Sequence, residues 1–256
     1  CPMKQCITLA NRCHRLRAVA FWLILWQVVS MLVGQRLLLA SPIETLVRLA
    51  QLLPTWAFWG SVFFTLGHIL LGFLAAMFLS LTLAPLSARF KWIEELFTPL
   101  LAVIRSIPVA SFVIVALIWI PSRRLSILIS LLIALPVLYA AILEGIRQTD
   151  SELLEMAHVF RMPLINQIRH VYFPSVFPRL CSAATVAIGL AWKSGVAAEV
   201  IGIPGGSIGE KLYKAKVYLA TPDLFAWTLT IVALSALCER GFAALLNLIA
   251  RRTKGK

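Results

Sequence analysis

Three charged side chains and one histidine lie inside otherwise apolar runs of this 256-residue chain: Arg105, Lys193, Glu199 and His68. If those runs lie in lipid, a charge at mid-bilayer costs about 2.5–3.5 kcal/mol, so such residues face protein or water. The chemistry open to them is that of a pathway or gate. Lys193 and Arg105 would form a cationic feature that favours an anion, with Glu199 near the outer gate. A structural ion pair is the plainer reading, or Arg105 reaching back to the inner surface. Residues six apart on a straight helix point in different directions, so a Lys193–Glu199 pair is not automatic.

Catalytic chemistry finds less support. Ser207 with His68 could be imagined as a protease dyad, but no Gly-Ser-Gly elbow accompanies them. His68 reads better as a packed or pore-facing histidine, and His158 and His170 as docking-surface residues. Four scattered histidines make no metal set. The cysteines Cys1, Cys6, Cys13, Cys181 and Cys238 include no pair at metal-ligand spacing, and read as packing or incidental residues. GGSIGEK at 205–211 imitates a phosphate loop, but fails in spacing, in the residue after Gly209 and in context. No ATP hydrolysis is expected of this chain.

The elements that hold these residues follow from composition. Sixty per cent of the residues are hydrophobic and 14% are charged, against roughly 25% charged in a soluble domain. Mean hydropathy is +0.88. No Asp, Glu, Lys or Arg occurs from Leu49 to Ala88, Ser106 to Ser122, Leu125 to Leu143 or Leu224 to Cys238. About 20 apolar residues cross about 30 Å of hydrocarbon. Spans are therefore predicted near 18–35, 57–84, 96–120, 125–146, 178–202 and 223–246. The runs do not alternate as barrel strands would. The fold class is an all-α polytopic membrane protein with about six transmembrane helices.

Basic residues set the orientation. Inner segments hold 15 Lys and Arg and outer segments 7, if the N-terminus is inside. The positive-inside rule then places both termini and the 149–178 loop in the cytoplasm. The net charge of +13 is spread beside spans rather than on one basic face, which argues against nucleic acid as a partner. The expected organisation is a basic N-terminal segment (1–17), a first span plus external loop (18–56), a core of five spans (57–248) and a basic tail (249–256). The loop should hold a short helix after Ser41-Pro42. A basic segment before an apolar run resembles a signal peptide, but no small-x-small site follows, so cleavage is not expected. Residues 207–221 should form a second amphipathic helix outside, as a gate element, a platform for an acidic-rimmed protein or, equally, a plain surface helix.

Residues 149–178 (TDSELLEMAHVFRMPLINQIRHVYFPSVFP) form a polar, basic, amphipathic island between two apolar runs. Thr149 and Glu152 have capping-box spacing. A first helix over about 150–160 should bury Leu153, Leu154, Ala157 and Phe160. Pro163 suits the first turn of a second helix, and Pro174 and Pro178 should break the pattern at the membrane. The product is a helix–break–helix elbow, either a docking surface for a soluble partner or a helix lying on headgroups.

The island resembles the EAA loop of ABC importer permeases, whose pattern is E-A-A, three residues, G, nine residues, I-x-L-P. Glu155, Met156, Ala157, Arg161, Val171, Phe173 and Pro174 stand at the matching positions, with the full spacing from Glu155 to Pro174. Arg161 replaces the glycine. A non-glycine residue in the left-handed conformation costs roughly 1 kcal/mol, so either the turn differs or Arg161 adds a contact. Residues 191–227, RSIPVASFVIVALIWI at 105–120 and Glu239-Arg240 resemble permeases of the nitrate, sulfonate and taurine group. The resemblance covers roughly 40–252.

The resemblance implies a type I importer permease that pairs with a second copy, two ATPase subunits and an extracytoplasmic binding protein in a prokaryotic inner membrane. ATP and Mg would bind the ATPase, leaving no cofactor here. Glu152, Glu155, Met156, Ala157, Phe160, Arg161, Pro163, Arg169 and Pro174 would form the coupling surface. Glu155 would be the acidic coupling residue, Ala157 and Phe160 packing contacts, and Pro163 and Pro174 shape-setters. Lys193, Glu199 and Arg105 would belong to the pathway or gate. A small anion such as sulfonate, taurine or nitrate is the expected substrate. Alternatives are a pyrimidine or thiamine-precursor substrate, a secondary transporter or channel without an ATPase, and an intramembrane enzyme.

Overall fold

The computed structural model describes Arg17 and residues 20–35 and 38–254, without the side chains of 247 and 249–254. Lys4, Arg12, Arg15, Cys1, Cys6, Cys13, Arg36, Gly255 and Lys256 lie outside these described residues. Within them all regular secondary structure is helical: α1 (Ala20–Val33), α2 (Pro42–Leu52), α3 (Trp56–Arg89), α4 (Lys91–Ser106), α5 (Val109–Ala116), α6 (Ser122–Arg147), α7 (Ser151–Val159), α8 (Leu164–Gln167), a π turn (Ile168–Tyr172), α9 (Phe173–Gly202), α10 (Ile208–Val217) and α11 (Thr221–Lys254). Four of these helical stretches are long and apolar enough to cross a membrane: α3, α6, Leu164–Gly202 and Thr221–Leu246.

The expected span at 96–120 is not one helix. α4 and α5 meet at a bend of 105°, and a fifth crossing exists only if this broken pair counts as one. Pro108 is the cause. Its ring disfavours the helical region for the residue before it, and Ile107 is extended at φ −77°, ψ 129°. The expected span at 18–35 is helical over Ala20–Val33, a length of about 21 Å at 1.5 Å per residue.

The chain divides into two compact units. One unit holds the residues before Gly60 together with Lys211–Thr230. Here Ser41 caps α2 as expected. Its Oγ accepts from Glu44 N at 3.1 Å, its N–H donates to Glu44 Oε2 at 3.3 Å, and Pro42 fills the first turn. Trp26 Nε1 donates to Ala40 O at 3.1 Å, and Phe58 stacks on Trp227 with centroids 5.0 Å apart. Arg48 pairs with Asp223 through two donors, and this carboxylate raises the Arg48 pKa. Both partners are partly solvated, so Asp223→Asn should cost less than about 1 kcal/mol. Thermal melts at low salt and at about 1 M NaCl check this, because the difference should vanish when screened.

The other unit holds Gly60–Glu210 and the chain from Ile231 onward. Its core joins Ile69 and Phe73 of α3, Leu138 and Ile142 of α6, Ile188 and Trp192 of α9, and Leu246 of α11. α6 and α9 form its most intimate pair. The buried positions of α9 include Ala184, Ala187, Gly189, Ala191, Ser194, Gly195 and Ala198, small residues that let backbones approach where no hydrophobic drive separates lipid from protein. Ser130 Oγ donates across that seam to Ala191 O at 3.1 Å. At the seam's end a Cβ on Gly145 would stand 3.0 Å from Val176 Cα.

Candidate functional site

The elbow is built from α7, a tight turn and α8. Asp150, not Thr149, caps α7, because the Asp150 carboxylate accepts from Glu152 N at 2.9 Å. Thr149 is buried and its hydroxyl donates back to Gly145 O at 3.2 Å. Two adjacent candidates competed for one cap, and the carboxylate also favours the positive helix end. α7 stops in a Schellman motif: Met162 N donates to Ala157 O at 2.9 Å and Arg161 N to His158 O at 3.0 Å. That motif requires a left-handed residue at Arg161, which has φ 46°. The turn therefore keeps the geometry a glycine would give, and Arg161 bears the cost of roughly 1 kcal/mol.

Pro163 sits at the N-cap of α8, where Asn166 N and Gln167 N donate to its carbonyl at 2.9 and 3.1 Å. Pro174 and Pro178 do not break the chain's course. From Leu164 to Gly202 the helix is continuous. The π turn at Ile168–Tyr172 admits Pro174 at the start of α9, with Phe173 N donating to Ile168 O. A prolyl nitrogen cannot donate, and a wider turn accommodates the missing bond and the ring.

Burial on the elbow differs from the amphipathic expectation. Ala157 is 1% exposed and Val171 is buried, but Phe160 is 74% exposed and Leu153 is exposed too. Val159, Leu164 and Ile165 also stand in solvent. Glu152, Glu155, Arg161, Arg169 and Pro174 are exposed, as is Met156. The product is a convex apolar knuckle ringed by charge. Its root is clasped to the end of α6: Ser175 Oγ donates to Gly145 O at 3.2 Å and Arg179 donates to Gln148 Oε1; Arg147 of α6 pairs in turn with Glu94 of α4.

The three intramembrane charges are not brought together. Lys193 is exposed on an α9 stripe with Val186 and Leu190. Arg105 ends α4, and its Nη2 donates to Pro136 O at 2.5 Å. It borders a groove of about 500 Å³ whose walls include Ile133, Val137 and Leu190. Glu199 is 0% exposed. Its Oε2 accepts from Thr65 Oγ1 at 2.7 Å and from Gly209 N at 3.4 Å, while Thr65 Oγ1 accepts from Ile208 N at 3.0 Å. Glu199 thus holds the first turn of α10, whose early N–H groups have no intrahelical acceptor. Its Oε1 and the hydroxyl of the neighbouring Ser126 are buried as well.

Thr65, Gly145 and Gly209 escaped the sequence reading. A Cβ on Gly209 would overlap the backbone of Glu199 and Val200, so the close approach needs glycine. A polar Thr65 in an apolar helix was the one available signal. Ser207 accepts from Glu210 N at 3.0 Å as the cap of α10, and His68 Nδ1 lies 2.8 Å from Phe64 O; these roles account for both residues without a dyad. In the other unit, a cleft of about 300 Å³ between α2 and α10 carries Arg48, Lys211, Lys214 and Tyr218 beside Phe58 and Trp227.

Residues 68–255 match the family described as the binding-protein-dependent transport system inner membrane component. The chain is 26% identical over 84% of its length, and 78% of the relative's, to a Bacillus subtilis (strain 168) protein, SsuC, assigned to aliphatic sulfonate transport. It is 29% identical to the riboflavin transport permease RibX of Chloroflexus aurantiacus, covering 85% of this chain and 84% of the relative. To the nitrate import permease NrtB of Synechocystis sp. (PCC 6803) it is 23% identical, covering 91% and 87%. A crystal structure of an amino acid ABC transporter with histidines superposes with a TM-score of 0.60 at 20% identity, over 81% of this chain and 96% of that one. This last likeness shows the fold.

Proposed function

Because this chain belongs to the binding-protein-dependent transport system inner membrane components, the permeases of ABC importers, we propose that it forms the pathway for a small anion and couples it to a separate ATPase. The observation that carries the coupling is the knuckle: exposed Val159, Phe160, Leu164 and Ile165 on a backbone clasped to α6. Isolated exposed apolar residues are ordinary, but a contiguous patch rimmed by charge marks an interface. ATP and Mg bind the ATPase, and two such subunits receive two elbows. The excess of Lys and Arg beside the elbow and the termini supports a cytoplasmic placement for all three in an inner membrane.

A second copy of this chain covers the exposed Val186–Leu190–Lys193 stripe of α9 and closes the groove beside Arg105. Lys193 and Arg105 then supply the cationic field, while Glu199 holds the neighbouring helix start. The Lys211 and Tyr218 side of the cleft, beyond the Arg48–Asp223 pair, is the platform for an acidic rim of the binding protein. Relatives assigned to sulfonate and nitrate transport support the anion reading; the riboflavin relative favours a ring substrate as the second reading.

The test is uptake into proteoliposomes holding the full-length chain with the ATPase and binding protein encoded beside it. Labelled taurine, an alkanesulfonate and nitrate are expected to enter only with ATP, and riboflavin serves as competitor. Lys193→Met should lower uptake about tenfold, roughly 1.4 kcal/mol in the barrier, with ATPase binding retained. Uptake under an ion gradient without the ATPase would overturn the reading. Wild-type uptake by Lys193→Met would remove that residue from the pathway.

A further inference from the structure

Resting on the coupling reading, we propose that Arg161 is a recognition residue, whose guanidinium at the apex of the elbow seats against a carboxylate in the ATPase groove and selects the ATPase this chain accepts. The backbone does not call for arginine here. With φ 46° and the two Schellman bonds from Arg161 N and Met162 N in place, glycine would make the same turn without strain. Nor does the fold use the side chain: it is exposed, and no described residue pairs with its guanidinium. Leu219 shares this left-handed turn, so the strain alone does not specify a contact; the exposed cation set among apolar residues at the elbow does.

The surroundings specify that contact. Val159 and Phe160 precede Arg161, Leu164 and Ile165 follow it, and all four are more than two-thirds exposed. A groove that covers these side chains must strip water from the cation between them. A desolvated guanidinium is costly unless paired and hydrogen-bonded, and its planar fork matches a carboxylate. The groove is therefore apolar with one acidic residue opposite the turn. An anionic lipid headgroup presents similar charge, but apolar residues on both arms of a convex knuckle fit a concave protein surface better than a flat bilayer.

The experiment places the full-length chain in phosphatidylcholine nanodiscs and measures the Kd of the ATPase encoded beside it. Arg161→Gly, which preserves the turn, should weaken binding by about 10–50-fold and flatten the salt dependence. Arg161→Glu should weaken it further and be rescued by one Asp or Glu→Arg change in the ATPase groove. Binding by Arg161→Gly at or above wild-type strength overturns the proposal. If Ala157→Glu still abolishes binding in that case, the coupling reading stands alone. If Ala157→Glu also binds normally, the coupling reading fails first and takes this proposal with it. A loss for Arg161→Gly seen only when phosphatidylglycerol is added assigns the contact to lipid and overturns it as well.

Discussion

Ala157→Glu should release the proposed ATPase partner from the membrane complex. Ala157 is buried on an otherwise exposed helix, and its carbonyl receives the Met162 N–H that closes the elbow. A glutamate there has two outcomes. Its carboxylate stays buried without a partner, which costs several kcal/mol, or α7 rotates to free it and the Schellman motif breaks. In either case Phe160 and Leu164 lose their relative placement, and the knuckle no longer fits a preformed groove. A loss of at least about 2.7 kcal/mol is expected, a hundredfold in Kd. Co-purification of the full-length chain with its ATPase reads the effect directly. Ala157→Ser, nearly isosteric, should retain the ATPase and confirm that the site tolerates a substitution of its own size. Retention by the glutamate variant at wild-type stoichiometry would refute a docking role for α7.

Gly209→Ala should be strongly destabilising in the unit that holds Gly60–Glu210. The added Cβ meets the main chain of Glu199 and Val200, not a side chain that could turn away. The first turn of α10 must withdraw, and two buried donors, Gly209 N and Ile208 N, then lose Glu199 and Thr65 as acceptors. Unsatisfied buried donors cost about 1–3 kcal/mol each. With about 2–4 °C of Tm per kcal/mol for a chain of this size, the apparent Tm in detergent should fall by about 10 °C. Glu199→Gln keeps a carbonyl acceptor for Thr65 and should lose much less. Equal melting of Gly209→Ala and wild type would show that the Glu199 clasp does not hold α10.

Local chemistry was legible where one residue had one role. Ser41, Pro42 and Glu44 announce α2, and the cap is made as those residue types dictate. Pro163 marks the elbow, and the chain turns there between α7 and α8. Legibility failed where neighbours competed or where tertiary contact decided. Thr149 and Asp150 are both capping residues, and only the packing against Gly145 assigns Thr149 elsewhere. Pro174 reads as a breaker until a π turn makes room for it. Residues 96–120 read as one apolar span, and Pro108 breaks it into two helices at a bend of 105°. Glu199 reads as a gate charge by hydropathy, while its partners lie 134 residues upstream and 10 downstream, separations that no local pattern encodes.

The uninterrupted helix from Leu164 to Gly202 makes the elbow one end of a rigid beam. Where it passes α6, Val176 leaves little room for a Cβ on Gly145, and a tilt of the helix would pivot there. The arm from Leu164 to that pivot is about 18 Å and the arm from there to Glu199 about 35 Å at 1.5 Å per residue. A tilt about that point moves the far end about twice as far as the elbow. An ångström-scale push at the knuckle would thus arrive, magnified and reversed in direction, at the level of Lys193 and Glu199.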